Sequence, residues 1–213
     1  MIYHSVERDG RRFNFLSGWG EASVPDIKTT FEPMIDAVMK VGAPPSGDYF
    51  FVGCAPKTDV FGTPPHDLPV GTVCAGCGLT AQKVQQDWRD FWGSISMDPR
   101  DNLVLYNFKA INDRINDLRG RGLPGSAVLF LAASLLAFEL YHVEHNQFKM
   151  HSWEGEAEAY DAQRGFISRG ASKFGLDATN KKIALDESQN WQANHRKQWL
   201  QTHPGEAVMD ELP

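Results

Sequence analysis

The most constraining feature of this chain is an apolar run, Ala127 to Phe138, that stops abruptly at Glu139. Its twelve residues fall short of the about 20 that a helix needs to cross a bilayer. The run is apolar on nearly every face, so the helix it predicts is enclosed by protein. A carboxylate buried alone at the end of such a helix costs several kcal/mol, so Glu139 has to be paired or coordinated. Residues three or four apart share a helical face, which places Glu139, His142 and His145 or Asn146 on one stripe.

The rest of the chain supplies a setting for that helix. With 213 residues, 42% hydrophobic and 23% charged, the composition is that of a globular protein with a real core. The formal net charge of -6 argues against a phosphate-backbone partner, so nucleic acid is not expected. The opening MIYHSVERDGRRFNF is polar where the apolar centre of a signal peptide would stand. The expected location is therefore cytoplasmic, or exported without a cleavable signal peptide, and no membrane span is expected.

Along the chain, Ile2 to Glu7 and Arg11 to Leu16 read as a hairpin turned at Asp9-Gly10. Ile27 to Val41 has helical spacing, with Pro33 forcing a late start or a kink. Asp48 to Gly53 and Asn102 to Phe108 read as strands, and Thr80 precedes a helix that runs to Trp92. A polar helix, Lys109 to Leu118, ends in RGRGLPG. Ser126 can cap the buried helix, which runs to about Asn146, and Ser152 can cap the next, which reaches Ile167 or beyond. Lys181 to Leu200 forms the last helix, with Trp191, His195 and Trp199 read as its packing residues. Arg114, Arg119 and Arg121 read as a solvated face. The expected class is α+β, a helix-rich single domain over 1–202 with a small antiparallel sheet and a buried central helix. Residues 203–213 read as a mobile tail.

The segment Phe138-Glu139-Leu140-Tyr141-His142, followed by a Glu-rich helix ending in Glu158-Ala159-Tyr160, resembles the HExxH helix of zincin metallopeptidases. Similar segments occur in zincin-type domains of bacterial toxins and effectors, and the resemblance covers roughly Ser126 to Phe166. It implies that Glu139 is the general base and His142 a zinc ligand, with Glu158 or Glu154 as the acidic ligand from the next helix. Phe138 stands where the first motif histidine belongs. The resemblance therefore implies a metallopeptidase-like domain that is catalytically impaired as written. A shifted ligand set, His142 with His145 or Glu139 with His142, each joined by Glu158, is the alternative metal arrangement. If active, the domain would take a peptide or protein substrate, with a cognate inhibitor protein as a further partner. Glu139 and His142 also form half of a carboxylate di-iron signature, but no second ExxH exists in this chain.

A reading from another class keeps the same residues without catalysis: a non-catalytic interaction or structural protein in which Glu139 and His142 form a buried structural pair. Separately, Cys54, His66, Cys74 and Cys77 sit in or beside a Pro-rich loop, 55–78, and could make a closed structural zinc site. The favoured reading of these cysteines is three small buried residues beside glycines, and Cys74 and Cys77 could instead be a redox pair, although the βαβ context for that is missing.

Overall fold

The computed structural model describes residues 2–16, 22–53, 76–80, 102–145 and 153–202. The hairpin forms where the sequence places it, with β1 (Ile2–Arg8) antiparallel to β2 (Arg11–Leu16). Asp9 and Gly10 both have positive φ, 45° and 74°, as the tight reversal requires. Ser23 and Asp26 then build a reciprocal capping box. A short helical turn, Val24–Asp26, and a π-helical segment, Ile27–Phe31, lead into α1 (Glu32–Gly42). Pro33 lies in the first turn of α1, directly after the π-helical segment, so α1 starts late as the proline's position predicts.

Three further strands, β3 (Gly47–Gly53), β4 (Gly76–Thr80) and β5 (Asn102–Tyr106), complete a five-stranded sheet of order β1-β2-β3-β5-β4. The pairs β2–β3 and β3–β5 are parallel, and only the outer pairs are antiparallel. The sheet is therefore mixed, where the strand pattern alone suggested antiparallel pairing throughout. The reason is the connections: α1 separates β2 from β3, and a long stretch separates β3 from β5. Crossovers of that length return the chain in the same direction.

One face of the sheet is aromatic. Phe13 is paired with Tyr49 and Phe15 with Phe51 in register, and each pair stacks, with centroids 5.4 and 5.0 Å apart. Phe31 meets Tyr106 edge-on at 4.8 Å and locks the lead into α1 onto that face.

Helix α2 (Phe108–Gly120) is capped by the Asn107 side chain, which accepts from the Ala110 N–H. The apolar run becomes α3 (Gly125–Glu144), which begins after Pro124 with no side-chain cap, so Ser126 does not play that part. Among the described residues α3 alone is long and apolar enough to cross a membrane by length and composition. It packs against α1, α2, β4, β5 and the two last helices, and 72% of its apolar window is buried in the fold, as in a core helix. Those last helices are α4 (Trp153–Gly170) and α5 (Ala178–Thr202), joined through a 3₁₀ turn, Ala171–Phe174, and Gly175 with φ 67°. The protein is thus a helix-rich α+β domain.

Two contacts fix the helices around α3. Gly170 lets α4 approach closely, since a Cβ there would lie 2.5 Å from Val41 and 2.6 Å from Phe130. Gln163, fully buried, donates to the Ser134 carbonyl at 3.3 Å and accepts from the Ser188 hydroxyl at 2.6 Å, so one side chain ties α3, α4 and α5.

Candidate functional site

The last turn of α3 brings Glu139 and His142 inward, 9% and 6% exposed, as the stripe on the apolar helix requires. On α4 the buried positions are Gly155, Glu156, Ala159, Tyr160, Gln163, Phe166, Ile167 and Gly170, and all but Gly155 repeat at three and four residues along one face. Glu156 is therefore the acidic residue of α4 that points at α3, and its carboxylate lies 3.6 Å from His142 Nε2. Glu154, two positions back, is exposed, and Glu158, two positions on, is half-buried away from that face. The Glu-rich run thus contributes a different member from the two the resemblance singled out.

A second imidazole reaches the same carboxylate from α5. His195 Nδ1 lies 3.7 Å from the Glu156 oxygen that faces His142, and 3.3 Å from the Tyr160 hydroxyl. His195 is more open than His142, its side chain 28% exposed, and its ring is met at its edges by Trp153 and Trp199, with centroids 5.8 and 6.2 Å away. The Arg196 guanidinium lies 5.3 Å over the Trp153 ring. Glu139, His142, Glu156 and His195 thus make one polar cluster shared by three consecutive helices.

Phe138, at the position to which the resemblance assigns the first histidine, has its ring against both His142, edge-on at 4.9 Å, and Tyr160 at 4.7 Å. His145 caps the C-terminus of α3, exposed, with Nδ1 3.1 Å from the Tyr141 carbonyl and its ring stacked on Tyr141 at 3.9 Å. A shifted set built on His145 is not assembled by this geometry.

The two imidazoles are pushed in opposite directions. Burial works against a charge on His142, but the adjacent Glu156 and Glu139 carboxylates outweigh it and raise its pKa above the ordinary value. For His195 burial dominates; Glu156 only partly offsets it, and the neighbouring His142 adds to it, so the pKa falls. Of the two rings, His142 is thus the one whose surroundings favour the proton.

Among the described residues, no group of three or more His, Cys, Asp or Glu side chains stands drawn together around a common metal position. Cys54, His66 and Cys74 lie outside the described residues, and of Cys77 the structure gives only its backbone place in β4. Elsewhere, Arg114 lies 4.7 Å over the buried Trp191 ring, with desolvation lowering its pKa, while Arg121 pairs with Glu187 on α5. These arginines are ties between α2 and α5 as well as surface charge.

The sequence offered signals for both residues it passed over. Counting back from Tyr160, Gln163 and Ile167 by helical turns reaches Glu156, and His195 sits at i+4 from Trp191 and i−4 from Trp199. What it could not supply was that α5 crosses to the His142 end of α4. Compared with protein-family models, with curated proteins and with solved structures, the chain matches none.

Proposed function

We propose that this chain is a zincin-like domain of the metallopeptidase type, impaired in catalysis as written. The observation that carries the proposal is the 3.6 Å approach of His142 to Glu156, an acidic residue on the helix that follows the ELYH helix. That is the relation between a motif histidine and an acidic ligand that the resemblance implies, with Glu156 in the acidic role. Glu139, buried on the same helix as His142, would be the general base. A bound zinc would supply Lewis-acid activation of a water, and Glu139 would hold the proton released from it. The impairment follows from Phe138, which stands at the first motif histidine's position and packs its ring on His142 and Tyr160. The assignment to toxins or effectors, with a peptide or protein target, rests on the sequence resemblance alone.

The test is Phe138→His in the full chain. The variant is expected to bind one zinc more tightly than the parent by about a hundredfold or more, as fits a first-sphere donor when outer partners alone are worth 10–100-fold. A Phe138→His protein that folds and gains no zinc affinity would refute the zincin assignment.

A second reading has its own observation. The Glu156 face of α4 continues through Tyr160 to Gln163, whose bonds to Ser134 and Ser188 are structural. In a non-catalytic interaction protein the whole face would be one polar seam holding α3, α4 and α5 together. It predicts no zinc in the purified protein and none gained with Phe138→His.

A further inference from the structure

We propose that Arg114 anchors an oxyanion site between α2 and α5, which takes a single carboxylate or phosphate group of a small ligand. The site stands apart from the zincin-like reading and uses none of its residues. What singles Arg114 out is that its donors are unspent. Arg8, Arg11 and Arg164 are also partly buried, and each has partners: Arg8 donates to Asp36, Arg11 to the Pro44 and Asp9 carbonyls, and Arg164 to Gln192 and Asp161. Among the described residues, no hydrogen bond or ion pair falls on Arg114, although its side chain is half-buried.

Stacking holds this guanidinium in place. Its central carbon lies 4.7 Å over the ring of Trp191, which is itself buried, and a contact through the ring face consumes no N–H donor. The carboxylates within electrostatic reach are Asp117 and Glu187. Both are engaged by Arg121, which donates to Glu187 and lies 3.7 Å from Asp117. Arg114 and Arg121 thus follow one another on the side of α2 that meets α5, one against Trp191 and the other on Glu187. The local acids satisfy Arg121 and leave the fork of Arg114 open.

The chemistry of that fork selects the ligand. A guanidinium is planar and stays charged, and it meets a carboxylate or a phosphate through two parallel charge-assisted bonds. Burial works against the Arg114 charge, and Asp117 and Glu187 together do not make up the difference, so an incoming anion would supply what the fold leaves out. Arg121 adds positive potential, while Asp117 and Glu187 limit it. A single anionic group fits that balance better than a polyanion, in keeping with a chain whose formal net charge is -6.

The experiment uses the full chain with isotope-labelled arginine side chains and tryptophan indoles. Inorganic phosphate and, separately, succinate are titrated at an ionic strength held constant with chloride, and nuclear magnetic resonance follows the Arg114 Nε–H and the Trp191 indole N–H. Saturable shifts of both signals are expected, and the anion that binds more tightly tells a phosphate ligand from a carboxylate. Arg114→Lys keeps the charge and loses the fork, so it should weaken binding by about tenfold or more, the worth of one charge-assisted bond. Arg114→Gln removes the charge and should weaken it further, with circular dichroism confirming that both variants fold. Binding unchanged in either variant overturns the inference. So does a parent protein in which neither anion shifts the two signals saturably beyond the effect of chloride. Zinc affinity, which tests the zincin-like reading, is expected to be the same in the parent and both variants.

Discussion

Replacing Gly170 with alanine should destabilise the protein, although alanine is the better residue for the backbone conformation there. Gly170 ends α4 with φ −94° and ψ −22°, which any L-residue adopts. Taken alone, Gly→Ala at such a site stabilises by about 0.4–1 kcal/mol through the unfolded chain. The added Cβ, however, would sit 2.5 Å from Val41 Cγ2 and 2.6 and 2.7 Å from two carbons of Phe130. Carbon contacts are comfortable at about 3.5–4.0 Å, so each is roughly 1 Å too close. The neighbour cannot simply turn aside, because the Phe130 ring is fully buried and stacked between Phe166 at 5.1 Å and Phe174 at 5.0 Å. Overpacking of this kind costs about 1–3 kcal/mol, leaving a net loss of about 1–2 kcal/mol. For a chain of this size that lowers the melting temperature by roughly 2–8 °C. Gly165, on the same helix, is the internal control: its Cβ would meet only the end of the flexible Arg169 side chain, at 3.0 Å from Nη1. Gly165→Ala should therefore gain up to about 1 kcal/mol. Urea unfolding followed by circular dichroism reads both, with unchanged m-values as the sign that only stability moved. A Gly170→Ala protein as stable as the parent would refute the packing of α4 on α1 and α3, and with it the placement of Glu156.

The other predictions concern the polar seam. Gln163→Leu keeps volume but leaves the Ser188 hydroxyl without its acceptor, and should cost about 1–3 kcal/mol, much of it recovered by adding Ser188→Ala; a neutral single variant would count against the three-helix tie. In chelator-treated protein, nuclear magnetic resonance should find His142 titrating above the ordinary 6.5 and His195 below it. For His142, raised in the folded state, the stability contribution is full below pH 6.5 and is lost as pH rises through its folded pKa. For His195, lowered, the contribution is full above pH 6.5 and is lost as pH falls through its folded pKa. The reverse order of titration would contradict the placement of Glu156 between them.

Much of the fold was legible because local rules and tertiary packing agree. The Asp9-Gly10 turn, the alternation of Phe13 and Phe15, and the unbroken apolar faces of α3 each state their structure within a few residues. The direction of β3 and β5 was not legible in that way, since strand pattern is the same in parallel and antiparallel pairs and the answer lies in the connections. The site divides along the same line. Glu139 and His142 share one helix, so their relation follows from periodicity alone. His195 meets them only because α5 folds back over α4, a contact between residues far apart in sequence, and its aromatic neighbours Trp153 and Trp199 resemble ordinary helix packing when read along the chain. Choosing Glu156 over Glu154 and Glu158 was open to sequence reasoning once Gln163, a polar residue, is allowed on the buried face of α4.

The arrangement of α3, α4 and α5 also bears on the order in which the molecule assembles. The cluster's residues all lie on successive helices with short connections, whereas the sheet must close the long β3 to β5 crossover before its central strands pair. Loop closure of that length slows pairing, while neighbouring helices can dock early. The helical triplet is thus the part of the fold placed to form first, and the polar seam would then serve during folding as the register mark that aligns α5 before the sheet is complete.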